Sequence, residues 1–106
     1  MEKYALATIE MFDPEHGGRK TTTAIGCVYR PHLRLSEDGE WLGVCFVDGP
    51  ETISSSERVD VTMLLLYPGV DYSGLGPGAA FLIVEGPHVV GKGIIKERWS
   101  KESDAM

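Results

Sequence analysis

A chain of 106 residues, 42% hydrophobic and 25% charged, has room for one domain with one modest core, and its composition excludes a disordered polymer. Thirteen glycines and six prolines spread along the length favour many turns between short segments over long helices. Sixteen acidic residues against ten basic ones give a formal net charge of −6, which aids solubility, opposes approach to phosphate backbones and suits a basic partner better than a nucleic acid.

Tyr4 to Phe12 is the first predicted strand, ended by the turn-rich run Asp13-Pro14-Glu15-His16-Gly17-Gly18. A loop carrying Arg19 and Lys20 follows. Thr21 to Thr23 then lead into a strand from Ala24 to Arg30, which resumes as His32-Leu33-Arg34-Leu35 after a bend or bulge at Pro31. Ser36 to Glu40 is a tight turn. Trp41 to Val47 is apolar enough to be buried on much of both faces, and Asp48-Gly49-Pro50 closes it. The clearest strand is Arg58 to Tyr67, after Ser54-Ser55-Ser56-Glu57. Its Val59, Val61, Met63, Leu65 and Tyr67 share one face, while Leu64 and Leu66 predict that the far end of the other face is covered too. Beyond Pro68-Gly69, the loop Gly74-Leu75-Gly76-Pro77-Gly78 leads to a strand from Ala79 to Glu85, and Gly86-Pro87 turns into the last, His88 to Trp99. Gly91 and Gly93 allow that strand to coil sharply or approach another backbone closely. Residues 1–100 are thus expected to form one domain and 101–106 a flexible tail. About six strands at short intervals predict an all-β fold, a sandwich or a closed barrel, and closure removes exposed edges.

No motif for chemistry survives its context. Gly18-Arg19-Lys20-Thr21 resembles the end of a phosphate-binding loop, but lysine does not directly follow the glycine and Asp13 stands where the first loop glycine belongs. Gly74, Gly76 and Ala79 fit a loose dinucleotide fingerprint that runs into the strand-like Phe81-Leu82-Ile83-Val84 instead of a helix. His16, His32 and His88 have no paired ligand at metal spacing. No serine lies in a nucleophile elbow, and the carboxylate clusters fall in turns where solvation explains them. Cys27 and Cys45, set among apolar neighbours, are predicted to be buried reduced thiols rather than a disulfide. With Met1-Glu2-Lys3-Tyr4 at the start and no run of bilayer length, a cytoplasmic location without membrane contact is expected. The chain is read as a non-enzyme with no nucleotide, cofactor or metal.

Three groups of residues then occur in one order: Gly17-Gly18-Arg19-Lys20-Thr21, Tyr29-Arg30-Pro31, and Gly78 to Ile95 (GAAFLIVEGPHVVGKGII). In this the chain resembles the C-terminal β-barrel of translation elongation factor Tu, where the pieces read G-G-R-x-T, Y-R-P-Q and G-L-R-F-A-I-R-E-G-G-R-T-V-G-A-G-V-V. The likeness spans roughly Tyr4 to Trp99. It implies a six-stranded antiparallel Greek-key barrel. In the full factor this barrel packs against the GTPase domain and the middle barrel and helps hold the T stem of aminoacyl-tRNA. The resemblance implies no GTP hydrolysis here, because the residues for it belong to the GTPase domain.

Under the resemblance, Arg19 matches the arginine of G-G-R, His32 stands at the glutamine after Y-R-P, and Glu85 matches the glutamate of R-E-G-G. These positions lie near tRNA in the family. Val84 and His88 replace the two arginines that flank this glutamate, and Pro87 replaces its second following glycine, so two fixed cations are lost. The candidate partner-binding residues are therefore Arg19, Lys20, His32, Glu85 and His88. Tyr29, Arg30, Pro31, Gly91 and Gly93 are read chiefly as barrel requirements. The expectation is a non-catalytic binding module for a protein partner, with translation-related RNA such as tRNA disfavoured by the acidic charge. The alternative is an acidic inhibitor or immunity-type protein that has reused the barrel.

Overall fold

The computed structural model describes residues 2–13, 15, 23–24, 26–36 and 39–101. Eight strands follow in chain order within them: β1 (Glu2–Met11), β2 (Thr23–Ala24), β3 (His32–Arg34), β4 (Leu42–Asp48), β5 (Thr52–Ile53), β6 (Arg58–Leu65), β7 (Ala80–Glu85) and β8 (His88–Lys101). Six of them close a barrel in the order β1-β6-β4-β3-β7-β8, with β8 returning to pair with β1 and every ladder antiparallel. The short β2 and β5 pair separately. β3, β4 and β6 are successive neighbours and β7 lies beside β3, which is a Greek key. The fold is thus an all-β, six-stranded antiparallel barrel. No helix among the described residues is long and apolar enough to cross a membrane.

Period-two alternation supplies the core. Ala5, Ala7, Ile9 and Met11 of β1 meet Val61, Met63 and Leu65 of β6, Val44 and Phe46 of β4, Leu33 of β3, Phe81 and Ile83 of β7 and Ile95 of β8 in one buried cluster. Two glycines let the closing strands meet. A β-carbon at Gly93 would lie 2.7 Å from the Thr8 carbonyl oxygen and 2.5 Å from the Phe81 ring, and one at Gly91 would lie 2.8 Å from the Glu10 carbonyl oxygen. Close backbone approach between β8 and β1 therefore requires glycine at both.

The segment before β3 departs from expectation. The predicted strand from Ala24 to Arg30 is interrupted by a turn over Gly26–Val28, where Gly26 has φ +94° and Cys27 φ +63°. Both lie in the left-handed region that breaks a strand. The chain rejoins β4 through three backbone hydrogen bonds: Cys27 N–H to Phe46 O at 2.6 Å, Phe46 N–H to Tyr29 O at 3.3 Å, and Val44 N–H to Pro31 O at 3.1 Å. Pro31, which has no N–H, contributes only its carbonyl.

The cysteines are joined and not free, with Cys27 and Cys45 in a disulfide across a Cα–Cα distance of 4.8 Å. Val44 and Phe46 point into the core, so Cys45 points outward from β4, and the left-handed turn brings Cys27 over it. Apolar sequence neighbours suggest buried thiols, but alternation places Cys45 on the other side of the sheet from its neighbours. Tyr67 also leaves the inner face assigned to it. β6 ends at Leu65, and the Tyr67 ring, 50% exposed, lies where a β-carbon on Gly43 would be.

Candidate partner-binding face

β3 sits between β4 and β7, with His32 opposite both Gly43 and Val84, and Arg34 opposite Leu82. Leu33 is fully buried, so alternation turns His32 and Arg34 to the outside. Trp41 precedes the buried Leu42 and faces the same way. Its ring meets the His32 imidazole edge-on at 5.4 Å between centroids, and the Arg34 guanidinium lies 5.3 Å from the ring centre. Arg34 is itself fixed, since its Nε donates to Gly39 O at 3.1 Å in a turn closed by Gly39 N–H to Ser36 O at 3.0 Å. The indole, 44% exposed, is therefore braced by a histidine and a positioned arginine.

The apolar surface continues past Arg34. Leu35 and Leu82 join Ala80 and Ile94 in lining a groove of about 390 Å³ that Lys92 and Arg58 also border. Ile94 is 52% exposed. Arg58 Nε donates to Glu10 Oε1 at 3.2 Å in the same lining. Among the described residues, Arg34 lies beside Trp41 and the groove lining carries Arg58 and Lys92 together with Glu10. Aromatic, aliphatic and arginine surface of this kind can stack, desolvate and donate hydrogen bonds.

Of the residues singled out by sequence, His32 belongs to this face. Glu85 ends β7 and pairs in register with His88, the first residue of β8, so His32, Glu85 and His88 gather where β3 begins. Their side chains do different things. The Glu85 carboxylate accepts a hydrogen bond from the Tyr29 hydroxyl, and the buried Tyr29 ring packs edge-on against Phe46 at 5.2 Å. That contact ties the segment before β3 to the end of β7. His88 is exposed. Arg30, also exposed, donates from Nε to Cys27 O at 3.1 Å. Arg19 and Lys20 lie outside the described residues.

Sequence reasoning missed Trp41, Arg34, Leu35 and Leu82. The alternation His32-Leu33-Arg34 already placed two polar side chains on one side of a strand, but reading Trp41 as part of a strand buried on both faces hid it. Among the described residues, no group of three or more His, Cys, Asp or Glu is placed to hold a metal ion. Compared with known proteins, the chain matches no protein-family model and no curated protein sequence.

Proposed function

We propose that the protein is a non-catalytic binding module that docks a protein partner through the outer face of β3 and the groove beside it. Trp41 carries this reading: it is 44% exposed yet held between His32 and Arg34. A braced, exposed tryptophan beside an arginine loses little conformational freedom on binding, and these two residue types dominate interface energetics. The resemblance to the C-terminal barrel of elongation factor Tu supports a translation-related partner, because in that family the barrel packs against two other domains. Val84 and His88 stand where that family has cations, and the net charge is −6. Both features favour protein over tRNA. The same charge supports a second reading, an acidic inhibitor or immunity-type protein, whose partner would be basic.

In a Trp99→Phe background Trp41 is the sole tryptophan of the two in the chain, and the introduced phenylalanine keeps a ring against Tyr4, on which Trp99 stacks at 5.7 Å. Titration with elongation factor Tu trimmed to its GTPase domain and middle barrel is expected to shift Trp41 emission to saturation. In the otherwise unaltered chain, Trp41→Ala should weaken binding by about thirtyfold, or about 2 kcal/mol, by calorimetry. Unchanged emission throughout the titration would sink the elongation-factor partner. Salt-sensitive retention of aminoacyl-tRNA on a filter would favour RNA in its place.

A further inference from the structure

We propose that the Cys27–Cys45 disulfide is a redox clasp that sets the conformation of the β3 face, holding it ordered when oxidised and loosening it when reduced. The inference rests on the docking reading above, since the face it regulates is that one.

The two sulfur-bearing residues are unequally placed. Cys45 is fully buried, whereas Cys27 is partly exposed in a turn whose next residue, Val28, is 75% exposed. A reductant therefore reaches the bond from the Cys27 side. Cys27 also sits at φ +63°, a left-handed conformation that its β-carbon disfavours, so the covalent bond opposes a local preference to leave. Before the turn the chain is fixed by the pairing of Thr23 and Ala24 with Ile53 and Thr52 of β5, and within the turn the described backbone contacts are few. Cys27 N–H bonds to Phe46 O, and Arg30 Nε returns to Cys27 O. The next anchors on β4 are at Tyr29 and Pro31. Pro31 leads directly into His32, whose ring is one of the two braces on Trp41. Loosening at Gly26–Val28 reaches the indole along the chain through Tyr29 and Pro31, so it must weaken their hydrogen bonds to Phe46 and Val44 before His32 shifts, while the Arg34 brace stays fixed to the far turn.

The step is a thiol–disulfide exchange with a dithiol reductant. One thiolate of the dithiol attacks the Cys27 sulfur, the bond to Cys45 breaks, and the Cys45 thiolate takes a proton. The second thiolate attacks the reductant sulfur now bound to Cys27, and the Cys27 thiolate leaves and takes the other proton. The protein disulfide is reduced to two thiols, and the dithiol is oxidised to its own disulfide.

Dithiothreitol is the probe, with Trp99→Phe as the background and Cys27→Ala/Cys45→Ala as a permanently open form. Thiol titration should count two reactive groups only after reduction. Reduction is expected to speed amide exchange at Cys27 and Phe46 by about tenfold or more while β1 and β6 stay protected. Trp41 emission should move to the red, and the double alanine variant should match the reduced state and ignore dithiothreitol. Unchanged exchange and emission overturn the clasp. So does loss of protection throughout the barrel, which would make the bond a global staple. Binding of the two-domain elongation-factor fragment should weaken by about tenfold on reduction. A response in exchange and emission with no binding in either state supports the clasp and removes the docking reading.

Discussion

Two donors converge on Asp60. Thr8 of β1, its partner across the ladder, donates from Oγ1 at 2.6 Å, and Lys96 of β8 donates from Nζ at 3.1 Å. The Thr8 hydrogen bond first, and then that from Lys96, hold the Asp60 carboxyl below the usual aspartate range. Because the folded value lies below the unfolded one, the associated stability is present above the unfolded pKa, near about 3.9, and disappears as pH falls through the folded value. Side chains of Lys96 and Asp60 are about half exposed, so the stability effect is small and the titration itself is the better measurement. Carboxyl chemical shifts should place the Asp60 midpoint below that of an unhindered aspartate. Thr8→Val should raise it more than Lys96→Gln, and equal shifts would contradict this ranking. The sequence sets Asp60 on the face of its strand opposite Val59, Val61 and Met63, but nothing local announced that it and Thr8, 52 residues apart, would face each other.

β8 is the element on which closure depends, because its glycines lie against β1. Gly93→Ala forces a β-carbon towards the Thr8 carbonyl and the Phe81 ring and is expected to destabilise by about 1–3 kcal/mol. Urea denaturation should show this as a lower midpoint with an unchanged slope, and an unshifted midpoint would mean that the close approach is relaxed at no cost. Gly91 and Gly93 were legible as close-approach positions, as were β1, β4, β6, β7 and β8, since each shows alternation or a continuous apolar run bounded by turn residues. The stretch from Ala24 to Arg30 was not. Its β-branched and aromatic residues favour a strand, and the left-handed turn falls partly on Cys27, a residue type that gives no warning of it. β5 spans only Thr52–Ile53, too short for a period. The alternation of β6 ran on in sequence to Tyr67, although the ladder stops at Leu65. Of the candidate face, His32 was visible by resemblance, whereas the Trp41 bracket needed β3 and β4 to be set side by side. The disulfide was hidden for the same reason.

For the molecule as a whole, the last strand pairs with the first along nearly all of β1, from Glu2 opposite Lys101 to Met11 opposite Gly91. Such pairing cannot form until most of the chain is collapsed, so folding should be slow for the size, in milliseconds to seconds. Stopped-flow tryptophan fluorescence would measure it, and a microsecond relaxation would show that closure is not limiting. The β1–β8 ladder has one more effect, on the style of recognition open to the barrel. In the closed order β1 is flanked by β6 over Lys3–Glu10 and by β8 over Glu2–Met11. Among the described barrel strands the addition of a partner strand is therefore confined to stretches such as Glu97–Lys101, which pair with β1 and lie beyond the last β7–β8 pair at Ala80 and Ile94. Under the docking proposed for the outer face of β3, which is paired on both sides, a partner would be read through side chains, with its own secondary structure unconstrained. On that proposal specificity would concentrate in a few rings and cations such as Trp41 and Arg34, where one substitution would redirect it.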